Sequence, residues 1–81
     1  MTHEEIEKLV IEIVSKQLQK SKDQISMSSK FMADLGADSL DIAEMVMEFE
    51  DKFDVTIPDD AESKLTSVGE VVKFLETETK K

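Results

Sequence analysis

The sequence predicts an all-α fold: a four-helix bundle of three longer helices and one short one, with a long loop between helices one and two. Three observations predict it. Gly 2 and Pro 1 leave little material for the tight turns of a strand-rich fold. Glu, Lys, Leu, Met and Ala, all good helix formers, recur along the chain. Apolar residues return at three- and four-residue spacing in separate stretches. With 81 residues and an apolar share of 40%, the chain is read as one domain, 1–81, whose core is just large enough to stabilise it.

Thr2 with Glu5 three places on is a capping box, and Ile6, Leu9, Val10, Ile13, Val14 and Leu18 follow at helical spacing. Helix one is therefore expected over Thr2 to Gln19. From Lys20 to Ala37 the periodicity dissolves, and Ile25, Met27, Phe31 and Leu35 read as anchors of a long surface loop, a feature that is often functional. Gly36 ends the loop. Asp38 is placed to cap helix two, Ser39 to Phe53, by accepting from a free N–H of its first turn. Pro58 breaks the chain after the extended Asp54-Val55-Thr56-Ile57, and a short helix is expected over Asp59 to Leu65. Ser67 with Glu70 repeats the capping pattern ahead of Val68, Val71, Val72 and Leu75, the apolar stripe of the last helix. The Lys80-Lys81 end is expected to fray.

Charge and composition exclude several classes of function. Asp+Glu 19 against Lys+Arg 10 gives a net charge of -9, which disfavours nucleic acid and anionic membrane surfaces and suits a basic protein partner. Cysteine is absent, so disulfides, thiolate metal sites and thiol chemistry by the chain's own residues are ruled out. The start, Met1-Thr2-His3-Glu4-Glu5, lacks a basic region followed by an apolar one, and no apolar run approaches the roughly 20 residues of a membrane span. A soluble cytoplasmic protein is expected, or an organellar one if a transit peptide has been removed.

On a wheel of roughly 100° per residue, Ile42, Met45, Val46, Phe49 and Phe53 form the core face of helix two. Asp41, Glu44, Glu48 and Asp51 share a separate edge, where four carboxylates repel one another. A solvated face is the commoner meaning of such a stripe. Here Leu40 and Met47 project beside it, outside the core face, and exposed apolar residues flanking charge resemble a docking surface. Ser39 opens the helix at a point where backbone N–H groups and the helix dipole favour a phosphate; taken alone, it reads equally as a capping serine. Catalysis by Ser39 is disfavoured, because the only histidine is His3 and no Gly-x-Ser-x-Gly elbow is present. An EF-hand loop also fails: counted from Asp34 and Asp38, Met45 and Phe49 occupy the last ligand position, and no metal site is assigned.

The run Asp34-Leu35-Gly36-Ala37-Asp38-Ser39-Leu40-Asp41 resembles the signature of the acyl carrier proteins of dissociated (type II) fatty acid synthesis. Phe31, Glu44-Met45-Val46-Met47, Phe53, Ile57-Pro58-Asp59 and Thr66-Ser67-Val68 extend the resemblance across nearly the whole chain. It implies a carrier without catalytic activity, in which Ser39, beside Asp38, is esterified by 4'-phosphopantetheine from coenzyme A through a phosphopantetheinyl transferase. The thiol of the arm holds acyl groups as thioesters, and a chain without cysteine would need such a thiol from outside.

The resemblance also assigns docking on basic patches of fatty acid synthesis enzymes to Asp38, Asp41, Glu44, Glu48 and Asp51, with Leu40 and Met47 as apolar contacts. Met45, Val46, Phe49, Ile57, Leu65 and Val72 are the residues placed to line an acyl pocket, each reading equally as ordinary core. A monomer is expected. The chain departs from the family pattern at Ala43 and Phe49, and after Pro58-Asp59, where Ala61 comes a place early and Glu62 follows. Two other readings stand beside this one: a carrier for polyketides, peptides or another specialised acid, and an unmodified helical interaction module in which Ser39 is only a cap.

Overall fold

The structure, a computed structural model, describes residues 2–79, so the Lys80-Lys81 end lies outside the described residues. Its helices are α1 (His3–Leu18), α2 (Ser39–Phe53), α3 (Asp59–Glu62) and α4 (Val68–Thr79), with a 3-10 turn at Lys22–Gln24 inside the long loop. Among the described residues there is no strand. One isolated bridge joins Lys30 to Ser67, pinning the loop to the start of α4.

The helix ends are set by local hydrogen bonds. Thr2 and Glu5 form a reciprocal box: the Thr2 N–H donates to Glu5 Oε1 at 2.9 Å and the Glu5 N–H to Thr2 Oγ1 at 3.2 Å. These bonds hold the Glu5 carboxyl below its ordinary pKa, the Thr2 N–H most strongly. α1 ends when Gln19 turns left-handed at φ 54, and Asp54 closes α2 at φ 53.

α3 is shorter than the expected Asp59 to Leu65. It makes a single turn and tightens, with Lys64 N–H donating to the Ala61 carbonyl at 3.0 Å and Leu65 N–H to the Glu62 carbonyl at 3.1 Å. The Ser63 hydroxyl, donating to the Asp60 carbonyl at 2.9 Å, competes for the backbone, while Leu65 is drawn into the core.

α1 packs against both α2 and α4. The core joins Ile6, Val10, Ile13 and Val14 to Met45, Phe49 and Phe53 of α2 and to Val68, Val71, Val72 and Leu75 of α4. Of the expected loop anchors, Ile25, Phe31 and Leu35 are buried and Met27 is partly buried. Two glycines answer backbone needs. Gly36 takes φ +72, and Gly69 lets α4 approach the loop so closely that a Cβ would stand 2.8 Å from the Met27 carbonyl oxygen.

His3 ties the first turn of α1 to α4: Nδ1 lies 2.7 Å from Glu76 Oε2 and Nε2 lies 3.1 Å from Glu7 Oε2. The hydrogen bond to Glu76, followed by the charge of the same carboxylate and then Glu7, raises the histidine pKa above its ordinary 6.5. A pKa raised on folding stabilises fully below the unfolded value, and that stabilisation is lost as pH climbs through the folded value. The thermal midpoint of the wild type should therefore exceed that of His3→Gln by more at about pH 6 than at about pH 8, as read by circular dichroism. An equal gap at both would show that the tie contributes nothing, as many exposed pairs do.

Candidate functional site

Ser39 is the first residue of α2 and is exposed. The turn that presents it is built by its neighbours. The Asp41 N–H donates to Asp38 Oδ1 at 2.9 Å, and the Asp38 N–H donates to Asp41 Oδ2 at 3.3 Å. This box takes up both aspartates and leaves the N–H groups of Ser39 and Leu40 without acceptors within the helix.

The structure separates the members of the acidic edge. Glu44, Glu48 and Asp51 are exposed, and beside them stand two large apolar side chains, Leu40 at 66% exposure and Met47 at 61%. Asp41 is only partly exposed, because its carboxylate works inside the cap and also accepts from Gln17 Nε2 at 3.4 Å. The wheel placed it correctly, but it could not register that the cap takes one carboxylate oxygen and Gln17 the other.

A cleft of ≈ 460 Å³ lies beside Ser39, walled by Lys30, Phe31, Met32 and Ala33 of the loop, Ile42 of α2, and Asp59, Glu62, Ser63, Leu65 and Thr66. Beneath it lies an inner cavity of ≈ 10 Å³, lined by Phe31, Ile42, Met45, Val46, Phe49, Glu62, Leu65 and Val71. That volume holds about one water molecule, so nothing larger enters without side-chain movement. Four residues, Phe31, Ile42, Glu62 and Leu65, line both spaces and form the wall they share.

Of the residues expected to line an apolar pocket, Met45, Val46, Phe49 and Leu65 meet around the inner cavity. Ile57 and Val72 are buried but line neither space. Ile57 is held elsewhere by its N–H, which donates to Glu50 Oε2 at 2.7 Å.

Phe31, Ile42, Met32, Glu62 and Val71 were not foreseen as lining residues. Ile42 and Val71 carried the helical periodicity of their stretches, which says that a residue faces inward but not which gap it meets. Met32, exposed at 57%, sits in an aperiodic loop beside the anchor Phe31, and no periodicity there tells which gap either residue meets.

A family model described as a phosphopantetheine attachment site matches residues 8–75. The acyl carrier protein of a Sulfurovum species is 51% identical over 67 residues, covering 83% of this chain and 89% of the relative. The chain belongs to the acyl carrier protein family. Other members match over more of the chain. The acyl carrier protein of an Exiguobacterium species is 49% identical over 77 residues, 95% of this chain and 98% of its own length. That of Prochlorococcus marinus is 47% identical over 76 residues, 94% and 95% of the two chains.

Membership of the acyl carrier protein family gives the chain a covalently attached 4'-phosphopantetheine and the role of an acyl carrier. The start of α2 suits such a group. It offers an exposed hydroxyl, first-turn N–H groups open to phosphate oxygens, and an adjoining cleft of ≈ 460 Å³.

Proposed function

We propose that Ser39 is the attachment residue and that residues 1–81 act as a single, monomeric carrier domain in the cytoplasm, bearing fatty acyl chains for the enzymes of fatty acid synthesis. The observation that carries this reading is the position of Ser39: exposed on the first turn of α2, on the wall of a cleft that shares lining residues with an inner apolar cavity. When bound, the arm supplies the thiol that the chain lacks, and its thioester holds the acyl group.

The protein's own residues hold and present the load without catalysing its reactions. Ser39 contributes the ester oxygen. Its proton passes to a base outside this chain, because the single histidine is paired with Glu7 and Glu76. Asp38 and Asp41 hold the turn in shape by capping it. Met45, Val46, Phe49 and Leu65, with Phe31, Ile42 and Val71, shelter the acyl chain in the inner cavity once it opens. Methionine among them can rearrange around a guest of variable length. Ile57 and Val72 belong to the buried core and not to this wall.

Two measurements test the reading. Incubated with coenzyme A and a phosphopantetheinyl transferase of broad specificity, the protein should gain one phosphopantetheinyl group by intact mass; no gain would overturn it. Docking of basic enzyme patches is assigned to Glu44, Glu48 and Asp51, with Leu40 and Met47 as apolar contacts and Asp41 at the edge. Such contacts are fast, salt-sensitive and individually weak, as a shuttle between many enzymes requires. The double charge reversal Glu44→Lys with Glu48→Lys should slow turnover by partner enzymes about tenfold at low salt, with helicity unchanged. Unaltered turnover would return this edge to a solvated face.

A further inference from the structure

Among the described residues, one side-chain hydrogen bond joins α1 to α2: Gln17 Nε2 donates to Asp41 Oδ1 at 3.4 Å. It lies at the Ser39 end of the seam between the two helices. Roughly two to three turns further along α2 the seam opens into a groove of ≈ 250 Å³, with Leu9, Ile13 and Gln17 on the α1 side and Glu48 and Lys52 on the α2 side. The covalent link between the helices is the long loop, so the placement of the Ser39 turn against α1 rests on packing and on this bond. Packing holds the turn from one side only. Ala37 is buried, with its N–H donating to the Phe31 carbonyl at 2.8 Å, and Ile42 packs on the core, whereas Ser39 and Leu40 are exposed.

Gln17 also settles which way the Asp41 carboxylate faces. With Oδ1 held by the Gln17 amide, Oδ2 is turned to the Asp38 N–H at 3.3 Å and the box that caps α2 closes. Without that amide the partly exposed Asp41 can rotate toward water, and the Asp38 N–H loses its acceptor. We propose, resting on the reading of Ser39 as the attachment residue, that Gln17 is a positioning residue for transfer of the phosphopantetheinyl group. Acting through Asp41, it keeps the first turn of α2 closed and set against α1, so that the Ser39 hydroxyl is presented in one orientation. In that transfer Ser39 Oγ bonds to the phosphorus that carries the pantetheine, and the pyrophosphate bond of coenzyme A breaks. Adenosine 3',5'-bisphosphate leaves with the electron pair, and the hydroxyl proton goes to a base of the transferase. A single orientation raises the fraction of docked complexes that react, and so acts on kcat.

The test compares Gln17→Met and Gln17→Glu, both close to glutamine in length and helix preference, the first without a donor and the second with a carboxylate facing Asp41. In the free, unmodified protein the Asp41 N–H donates to Asp38 Oδ1 at 2.9 Å and the Ile42 N–H to the Asp38 carbonyl at 3.1 Å. These two amides should exchange with deuterated water about threefold faster in Gln17→Met and faster still in Gln17→Glu, while the Val72 amide of α4 keeps its wild-type rate. With coenzyme A and a phosphopantetheinyl transferase of broad specificity, kcat should fall about threefold in Gln17→Met with KM for the carrier unchanged, the ratio that about 0.7 kcal/mol gives. Wild-type exchange at Asp41 and Ile42 in both variants would overturn the inference. So would a raised KM with unaltered kcat, which would make Gln17 a contact of the transferase. Faster exchange at Val72 as well would also overturn it, by assigning the loss to the fold as a whole. Exchange is read on the unmodified protein, so its outcome stands apart from whether Ser39 accepts the arm, which the mass gain of the wild type decides.

Discussion

Ser39→Ala should fold as the wild type does and gain no phosphopantetheinyl group. Alanine is a better helix former than serine, and the bonds that cap α2 belong to Asp38 and Asp41, so the thermal midpoint should barely move. The variant is decisive because two other hydroxyls share the cleft, those of Ser63 and Thr66. Both are already committed as donors, Ser63 to the Asp60 carbonyl at 2.9 Å and Thr66 to Glu70 Oε1 at 2.9 Å. A mass gain that persisted in Ser39→Ala would mean that one of them accepts the arm. Circular dichroism alongside the mass measurement separates loss of the site from loss of the fold.

Phe49→Ala should be the most damaging single change to the core. The ring is 2% exposed, and truncating a buried phenylalanine typically costs about 3–5 kcal/mol. That is a large part of the 5–15 kcal/mol by which a domain is usually stable, so the unacylated variant should be partly unfolded at about 37 °C. Phe49→Leu provides the gentler arm, at about 1 kcal/mol or a thermal midpoint lower by about 4–8 °C in a domain this small. Because Phe49 also lines the inner cavity, both variants widen it. A long acyl chain should then restore part of the lost stability, so acylation should raise the midpoint more in Phe49→Leu than in the wild type. Equal increments would place the acyl chain outside this cavity.

The caps and the helical stripes were legible because each depends on residues within a few places of one another. Thr2 with Glu5, Asp38 at the head of α2, and the spacing of Val68, Val71, Val72 and Leu75 all acted as their residue types require. The third helix was legible only in outline. Proline and the acidic residues announce its start, but its end depends on a competition between the Ser63 hydroxyl and the burial of Leu65.

By itself the sequence determined the helical class, the caps, the exposed serine at the head of α2 and the acidic edge, because hydrogen bonds and periodicities of short range decide them. Its signature run also placed the chain in its family. Tertiary structure alone decided that a loop residue, Phe31, meets Ile42 and Leu65 in the wall between cleft and inner cavity, that Ile57 and Val72 line neither, and that Asp41 is half withdrawn into its cap. Those outcomes depend on how distant segments share one small core, where each side chain's place is set by the volume its neighbours leave.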